Sequence, residues 1–156
     1  MILGAQHIRE ATQADFGQIA HLISESHRAA GASSDHYEAW KIEARLHEVR
    51  IAKGKILVAD LEGAILSCGA VAASAFARHT WTLSLGATRP DMQGRGLGHH
   101  LVVRRLEIAV GAGAGVVLVS SRNEARWRRY NFARAFTNSV TGAHLMFLPT
   151  DHGRGA

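Results

Sequence analysis

The first third of the chain has the hydrophobic pattern of an amphipathic helix. Four apolar side chains recur at i, i+3, i+4 and i+7, which places them on one helix face: Phe16, Ile19, Ala20 and Ile23. Thr12 followed three residues later by Asp15 is a variant of the capping box that marks a helix start. The pattern predicts that this helix ends near Gly31, that residues 29–36 form a loop, and that a second helix covers residues 37–52.

After residue 54 the pattern changes to the alternating and continuous apolar runs that are typical of β-strands. With one short run near the start, these predict strands at residues 6–11, 55–59, 64–75, 78–88, 116–119, 132–137 and 143–148. In the strand at 78–88, alternation predicts one shared face for four residues: Trp81, Leu83, Leu85 and Ala87. Two further helices are expected, from a glycine-rich turn to about residue 110 and over residues 123–130.

The predicted elements follow the order β-α-α-β-β-β-α-β-α-β-β, within a single domain that covers residues 1–156. Strands joined by short turns, such as the turn at residues 60–63, favour an antiparallel meander over residues 55–88. The continuous apolar run at 116–119 is typical of a buried strand that lies parallel to its neighbour. We therefore expect a mixed α/β fold.

Composition narrows the class of protein. Hydrophobic residues make up 47% of the chain and charged residues 20%, which is typical of a globular protein. The single cysteine, Cys68, excludes an intramolecular disulfide; it lies in an apolar run, which favours a buried side chain over a reactive thiol. Residues 1–7 lack the pattern of a signal peptide, and no apolar run reaches the length of a membrane span, so we expect a cytoplasmic protein without a membrane partner.

Charge is distributed unevenly along the chain. Residues 1–77 carry seven basic and nine acidic side chains, a net charge of −2, whereas residues 78–156 carry eleven arginines and four acidic side chains, a net charge of +7. An excess of arginine attracts a ligand with several phosphates, or a nucleic acid. A solvated surface is an equal alternative for the cluster of Arg122, Arg126, Arg128 and Arg129.

The most informative motif lies between a predicted strand and a predicted helix and reads Gln93-Gly94-Arg95-Gly96-Leu97-Gly98. Glycines allow a ligand to approach the backbone closely, and a helix N-terminus offers free N–H groups and a partial positive charge, which together hold a phosphate. The segment lacks the Gly-Lys-Ser/Thr ending of a Walker loop, and the dinucleotide pattern Gly-x-Gly-x-x-Gly fails at His99 and at Leu101. A glycine-rich turn without a ligand is the alternative.

The spacing Gln-x-x-Gly-x-Gly resembles the acyl-CoA signature of the GNAT superfamily of N-acetyltransferases, and Thr88-Arg89-Pro90 resembles the strand-to-turn junction of that family. The likeness in element order extends from Ile8 to Leu148. It implies a strongly curved, mostly antiparallel sheet with helices on both faces and two central strands that splay apart around CoA. It also implies acetyl-CoA as the co-substrate and direct acetyl transfer to an amine of a small-molecule or peptide acceptor.

The resemblance also assigns the residues that bind the donor. Backbone groups of Ala87 and Thr88 would hold the pantetheine arm and polarise the thioester carbonyl, and Gln93 would brace the turn. Ser120 and Asn123 could contact the pantetheine arm, although a polar residue there can equally cap the next helix. The pyrophosphate site would be lined by Gly94, Arg95, Gly96, Leu97, Gly98 and His99.

The general acid and base depart from the family pattern. Trp127 stands where many members have a tyrosine, and an indole N–H supplies no useful proton at pH 7. Tyr130 lies three residues later on roughly the same predicted helix face and is a candidate acid, with simple packing as the alternative. Thr82 stands where some members have a glutamate, which leaves His79 as a candidate base, with an ordinary strand-end histidine as the alternative.

Other functions and partners stay open. The missing tyrosine and glutamate fit a module that binds acyl-CoA without catalysis. The arginine-rich half fits a nucleic-acid-binding domain, but no helix-turn-helix, zinc or aromatic RNA-binding signature supports it. The ten histidines show no ligand set with metal spacing, so no metal is expected.

The acceptor has no motif of its own. It would contact the first two helices, the last hairpin and a loop that contains Ser33, Ser34, Asp35 and His36, for which a solvated loop is the alternative. A homodimer is common among proteins of this family, and nothing in this sequence indicates one.

Overall fold

The structure is a computed structural model that describes residues 3–31 and 38–151. Its strands are β1 (Ile8–Glu10), β2 (Lys55–Leu61), β3 (Ala64–Ala73), β4 (Thr80–Thr88), β5 (Val116–Ser121), β6 (Ala133–Thr137) and β7 (His144–Pro149). Its α-helices are α1 (Phe16–Ala29), α2 (Ala39–Ile51), α3 (Leu97–Gly111) and α4 (Glu124–Arg128). None of the helices in the described residues is both long and apolar enough to cross a membrane.

The strands form one seven-stranded sheet in the spatial order β1-β2-β3-β4-β5-β7-β6. Every neighbouring pair is antiparallel except β4 and β5, which are parallel. Strands β2, β3 and β4 are the predicted meander, and β5 is the predicted buried strand beside a parallel neighbour. The expected mixed, mostly antiparallel sheet is therefore confirmed.

Helices cover both faces of the sheet, because successive residues of a strand point to opposite sides. On β3, Ala70 packs into a core with α1 and α2, whereas Val71 packs into a second core with α3. Cys68 is buried in the first core, as predicted. The stripe predicted for α1 lies there too, and its residues are each at most 2% exposed: Phe16, Ile19, Ala20 and Ile23. Burial of each large side chain contributes about 1.5–3 kcal/mol and holds α1 on the sheet.

The beginning of α1 is tied to two strands by one arginine. The Thr12 N–H donates to Asp15 Oδ2 at 2.8 Å, half of the predicted capping box. Arg9 on β1 donates to the two carboxylate oxygens of Asp15 at 2.8 and 2.9 Å, and to Asp60 on β2 at 2.9 Å. The hydrogen bond from Arg9 is the main reason that the pKa of Asp15 falls to about 2.

Strand β4 contains a bulge. Two of its residues, Leu85 and Gly86, lie opposite the single residue Gly69 on β3. Leu85 has a φ of +53°, a left-handed conformation that is uncommon for a leucine. A bulge bends a strand and changes the direction of the side chains that follow it.

The bulge makes one sequence prediction wrong. Trp81 and Leu83, which precede it, pack into the core with α3, whereas Leu85 and Ala87 pack into the core with α1. Strict alternation would place all four on one face. The extra residue reverses the alternation, so the strand contributes to both cores.

Several element ends differ from the predictions. The first strand is limited to Ile8–Glu10 because Ala5–His7 forms a 3-10 turn, and β4 begins at Thr80. Helix α4 ends at Arg128, so Tyr130 lies beyond the helix instead of on it. Residues 32–37, with most of the predicted acceptor loop, lie outside the described residues: Ser33, Ser34, Asp35 and His36 are among them.

Candidate functional site

The turn between β4 and α3 exposes a row of backbone N–H groups. Gly94 and Gly96 have φ angles of +78° and +86°, and a Cβ at either position would meet nothing within 4 Å, so the turn requires glycine for its left-handed backbone. No hydrogen bond among the described residues uses the N–H groups of residues 94–99. These donors lie at the N-terminus of a 15-residue helix, where the helix dipole adds positive charge, so the turn fits an anion.

An arginine of α4 lies beside this turn. A Cβ on Gly98 would be 3.0 Å from Arg126 Nη2 and 3.6 Å from Thr88 Oγ1, so the end of β4, the start of α3 and α4 meet at this point. Thr88 Oγ1 is held by a hydrogen bond with Ser67 Oγ at 2.8 Å. Gln93 Nε2 donates to the Thr88 carbonyl oxygen at 3.4 Å and connects the turn to β4. Arg126 therefore adds a positive charge next to the free N–H groups.

The two parallel strands separate towards the turn. Pairing between β4 and β5 begins at Thr80 with Val116 and ends at Leu83 with Val119. Beyond this point, within the described residues, Ser84, Ala87 and Thr88 pair only with β3 and residues 120–121 only with β7, while Leu85 and Gly86 form the bulge. The result is a gap with an unpaired backbone edge along β4, which an extended ligand can pair with. Its closed end lies at Ser84 and its open end at the turn.

A buried cation lies near the closed end of the gap. Arg105 on α3 is 2% exposed. Its guanidinium donates to the carbonyl oxygens of Leu101 at 3.2 Å, and of Ala70 and Ser84 at 3.3 Å. Burial lowers the pKa of Arg105 to about 10, which leaves the side chain protonated at pH 7.

Two aromatic residues near α4 have different surroundings. Trp127 is 6% exposed in the core beside α3, and its ring centroid lies 5.3 Å from that of Phe132. The Tyr130 hydroxyl lies 2.9 Å from His99 Nδ1, and the two rings stack with centroids 5.8 Å apart. Since His99 belongs to the first turn of α3, this contact links the start of α3 to the segment that follows α4. Trp127 thus has a packing role, and the Tyr130 hydroxyl lies beside the start of α3.

A family model described as the acetyltransferase (GNAT) family matches residues 16–133, which is most of the chain. The chain belongs to the GNAT family. The match runs from α1 to the first residue of β6 and so includes the turn, the gap and Arg105. No curated protein matches the sequence.

Solved structures share the GNAT fold. A GNAT acetyltransferase from Brucella melitensis in complex with acetyl-CoA is 22% identical, with a TM-score of 0.72 over 92% of this chain and 86% of the other. The paia N-acetyltransferase from Thermoplasma acidophilum, in complex with coenzyme A, is 15% identical, with a TM-score of 0.73 over 92% and 98%. A ribosomal-protein-alanine N-acetyltransferase from Brucella melitensis is 18% identical, with a TM-score of 0.68 over 90% and 96%. These likenesses confirm the GNAT fold.

The GNAT fold brings most of the predicted donor-site residues together. Ala87 and Thr88 end β4 at the open side of the gap, and residues 93–99 form the turn and the start of α3. Ser120 lies on β5 just beyond its last pair with β4. Asn123 acts as the cap of α4, because its Oδ1 accepts a hydrogen bond from the Arg126 N–H at 3.1 Å. Asn123 therefore caps α4, which was the alternative to a contact with the pantetheine arm. This cap helps to hold the helix that carries Arg126.

His79 lies apart from the other predicted site residues. It precedes β4, has a φ of +58°, and its carbonyl oxygen accepts from the N–H of Gly115 at 2.7 Å. A strand rises about 3.3 Å per residue, so His79 lies about 16 Å along the chain from Ser84, at the end opposite the gap. The structure does not bring His79 to the site, and its role as a base stays a prediction.

Two residues with unusual surroundings were not predicted from the sequence. Arg105 follows Leu101 by four positions and Val102 by three, which places it on the apolar face of α3. The helix pattern alone could therefore have predicted a buried arginine. His27 lies on the last turn of α1, and its pKa is lowered by burial and by the charges of Arg45 and Arg122. A lowered pKa favours the neutral form of the imidazole.

A groove of about 500 Å³ lies on the α1 side of the sheet. His21, Glu25 and Arg28 of α1 line it together with Arg89 and Pro90, which directly follow β4. Glu25 and Arg28 form an exposed ion pair at 2.6 Å. No group of three or more histidine, cysteine, aspartate or glutamate side chains in the described part of the chain is placed to hold a metal ion.

Proposed function

We propose that the protein is an N-acyltransferase that moves the acetyl group of acetyl-CoA directly to an amine of a small-molecule or peptide acceptor. One observation carries the proposal: the unpaired backbone N–H groups of residues 94–99 lie at a helix N-terminus beside a gap between two parallel strands. The relatives from B. melitensis and T. acidophilum were solved with acetyl-CoA and with coenzyme A, ligands whose shape suits such a site.

The phosphate end of the donor would bind at the turn. Its pyrophosphate would accept hydrogen bonds from the N–H groups of residues 94–99, and Arg95 and Arg126 would add positive charge. Hydrogen bonds to charged groups are each worth roughly 1.5–3 kcal/mol, so a few of them dominate the affinity. The net charge of +7 in residues 78–156 would favour the approach of this anion.

The pantetheine arm would lie in the gap. Its amide groups would pair with the free backbone edge of residues 84–88, in the position that a further strand would take. Ala87 and Thr88 would contact the arm from β4, and Ser120 from β5. With the pyrophosphate at the turn and the arm along β4, the thioester at the end of the arm would lie near the bulge.

Transfer would depend mainly on holding the amine against the thioester. The amine nitrogen attacks the carbonyl carbon, the C=O electron pair moves onto oxygen, and the collapse of this intermediate breaks the C–S bond. Positioning alone can supply roughly 7–11 kcal/mol of the barrier. The departing thiolate needs a proton, and Tyr130, hydrogen-bonded to His99, is the proposed donor.

The acceptor would enter from the α1 side. The groove beside Arg89 and Pro90 opens where β4 ends. The carboxylate on its wall, Glu25, is paired with Arg28, so an acceptor amine would have to compete with Arg28 for it.

His27, on the last turn of α1, is the proposed recipient of the proton that the amine loses; it does not line the groove, so the proton would reach it through water. Burial and the charges of Arg45 and Arg122 lower its pKa, which favours the neutral imidazole.

One observation favours a second candidate function. Trp127 is buried where many GNAT proteins have the tyrosine that acts as the acid. A protein that keeps the donor site without that acid fits a module that binds acyl-CoA and senses or presents it. Thiol release separates the two functions, because only the enzyme produces free CoA.

Donor binding is tested by calorimetric titration of the full chain with acetyl-CoA. Arg126→Ala should weaken binding about tenfold or more, the loss of one hydrogen bond to a charged group. Arg104→Ala is the matched control, since Arg104 lies on α3, is exposed and pairs with Glu107 at 3.2 Å. No binding at millimolar acetyl-CoA would contradict the donor site. Tight nucleic-acid binding at physiological salt in its place would favour a nucleic-acid-binding domain.

Catalysis is tested by mixing the protein and acetyl-CoA with a panel of amines while free thiol is followed. Release with at least one amine supports the enzyme, and binding without release across the panel supports the module. In an active protein, Tyr130→Phe should slow turnover about 10²-fold or more and flatten the high-pH limb of the rate profile. Wild-type rates in this variant would remove Tyr130 from the mechanism.

A further inference from the structure

Arg105 is a buried cation without a carboxylate partner. None of the ion pairs within residues 3–31 and 38–151 includes it. Its hydrogen-bond acceptors are three backbone carbonyl oxygens, of Leu101, Ala70 and Ser84. Burying a charge without an opposite charge is costly, so such a group is a candidate for a functional role.

Two glycines make room for this side chain. A Cβ on Gly69 would lie 2.5 Å from Arg105 Cζ, and a Cβ on Gly86 would lie 3.5 Å from Nη2. Gly86 belongs to the bulge in β4, and Ser84, which accepts from Nη1, is the first residue of β4 beyond its last pair with β5. The guanidinium therefore lies against the bulge, over the seam between β3 and β4, next to the point where β4 stops pairing with β5.

One nitrogen of the guanidinium is left for a ligand. Nε and Nη1 donate to the three carbonyl oxygens, whereas Nη2 makes no hydrogen bond with the residues that the structure describes. Every fully buried side-chain nitrogen or oxygen in these residues has a partner, so Nη2 reaches accessible space although Arg105 is 98% buried. Gly86, a residue of the bulge, is a close neighbour of Nη2, so the accessible space next to Nη2 lies beside the bulge.

Titratable groups on both sides of the sheet act on Arg105. Burial is the main cause of its lowered pKa, the Cys68 thiol acts in the opposite direction, and of the two groups near the donor site Arg126 lowers the pKa and Tyr130 raises it. Arg126 lies beside the turn and Tyr130 beside His99, so both groups line the same site.

We propose that Arg105 Nη2 donates a hydrogen bond to the thioester carbonyl oxygen of bound acyl-CoA and stabilises the oxyanion formed during transfer. The inference rests on the proposed function, because it requires the thioester in the gap. Formation of the bond from the amine nitrogen to carbon moves the C=O electron pair onto oxygen, and cleavage of the C–S bond returns it. Arg105 stays protonated throughout and exchanges no proton.

A fixed positive charge at this oxygen would lower the barrier independently of proton transfer, the part of the reaction that the proposed function gives to Tyr130 and His27. Removal of one oxyanion donor typically lowers kcat by about 10²–10³. A guanidinium held by three carbonyl oxygens is already oriented and needs no rearrangement during the reaction.

The test compares Arg105→Met with Arg104→Met on the same helix. Each protein is titrated with acetyl-CoA and with S-ethyl-CoA, a thioether that lacks only the carbonyl oxygen. Wild type and Arg104→Met should prefer acetyl-CoA, and this preference should fall about tenfold or more in Arg105→Met. Affinity for S-ethyl-CoA should stay the same, and kcat should fall about 10²–10³ with little change in the acceptor KM.

The carbonyl stretch of bound ¹³C-labelled acetyl-CoA provides a direct readout. The guanidinium should lower this infrared frequency in wild type, and Arg105→Met should raise it again. Arg105→Lys is the second variant, because the shorter ammonium cannot bond Ala70, Ser84 and the ligand together; it should show the same change if the methionine variant does not fold.

Two results would overturn the inference. An unchanged ligand preference and an unchanged frequency in the Arg105 variants would limit Arg105 to a structural role, while the proposed function would stand. Failure of wild type to bind any CoA ligand would remove the proposed function and the inference together.

Discussion

Gly96→Ala tests whether the left-handed backbone of the turn sets both stability and donor binding. Gly96 has a φ of +86° and is the N-cap of α3. A Cβ there would meet nothing within 4 Å, so the expected penalty is conformational and not steric. An L-residue in this conformation costs roughly 1–2 kcal/mol, and the free energy of unfolding should fall by that amount. For a chain of this size, Tm should decrease by about 2–8 °C.

Gly17→Ala is the matched control. Gly17 lies on α1, and a Cβ there would also meet nothing within 4 Å, but its backbone is helical. Alanine is favoured over glycine in a helix by roughly 0.5–1 kcal/mol, so this variant should be more stable than wild type. The same change from glycine to alanine is therefore expected to lower the free energy of unfolding at residue 96 and to raise it at residue 17.

Urea unfolding followed by circular dichroism measures the stabilities, and calorimetry measures the affinity for acetyl-CoA. Gly96→Ala should weaken binding about tenfold or more, because displacement of the turn removes at least one hydrogen bond to the charged pyrophosphate. Gly17→Ala should bind like wild type. Wild-type stability together with wild-type affinity in Gly96→Ala would refute the reasoning.

Three other experiments test the structure around the site. Gly69→Ala should lower the free energy of unfolding in urea by about 1–3 kcal/mol, since its Cβ would lie 2.5 Å from Arg105 Cζ; a neutral effect would contradict this packing. Burial raises the pKa of Cys68 to about 12, so a thiol reagent at pH 8 should react only as the protein unfolds, and fast reaction with native protein would refute its burial. The pKa of Asp15 is lowered from 3.8 to about 2, so its contribution is present above about pH 4 and is lost as the pH falls towards 2. Asp15→Asn should therefore be less stable than wild type by about 1 kcal/mol at pH 7, and a difference that persists at pH 2 would contradict the ion pair.

The turn could be predicted from sequence because its signals are local. Gly94 and Gly96 impose a left-handed backbone, and the hydrophobic pattern places them between a strand and a helix. The apolar run of β5 also indicated its parallel neighbour from its own composition. Features that depend on a few consecutive residues were thus readable without the fold.

The closed end of the gap could not be predicted in the same way. The bulge arises from the pairing of Leu85 and Gly86 with Gly69, which is 16 or more positions away, and alternation within β4 alone gave the wrong face for Leu85. The role of Gly69 depends on Arg105, a residue on another element. The contact between Tyr130 and His99 likewise joins segments 31 positions apart.

The central claim is that the N–H groups of residues 94–99 hold the pyrophosphate of the donor. The most direct measurement is the ¹H–¹⁵N correlation spectrum of the protein with and without acetyl-CoA, with the exchange rate of each amide. The account predicts that the amide protons of residues 94–99 shift downfield and exchange more slowly, while that of Arg104 stays unchanged. Binding of acetyl-CoA that leaves the amides of residues 94–99 unaffected would contradict the account.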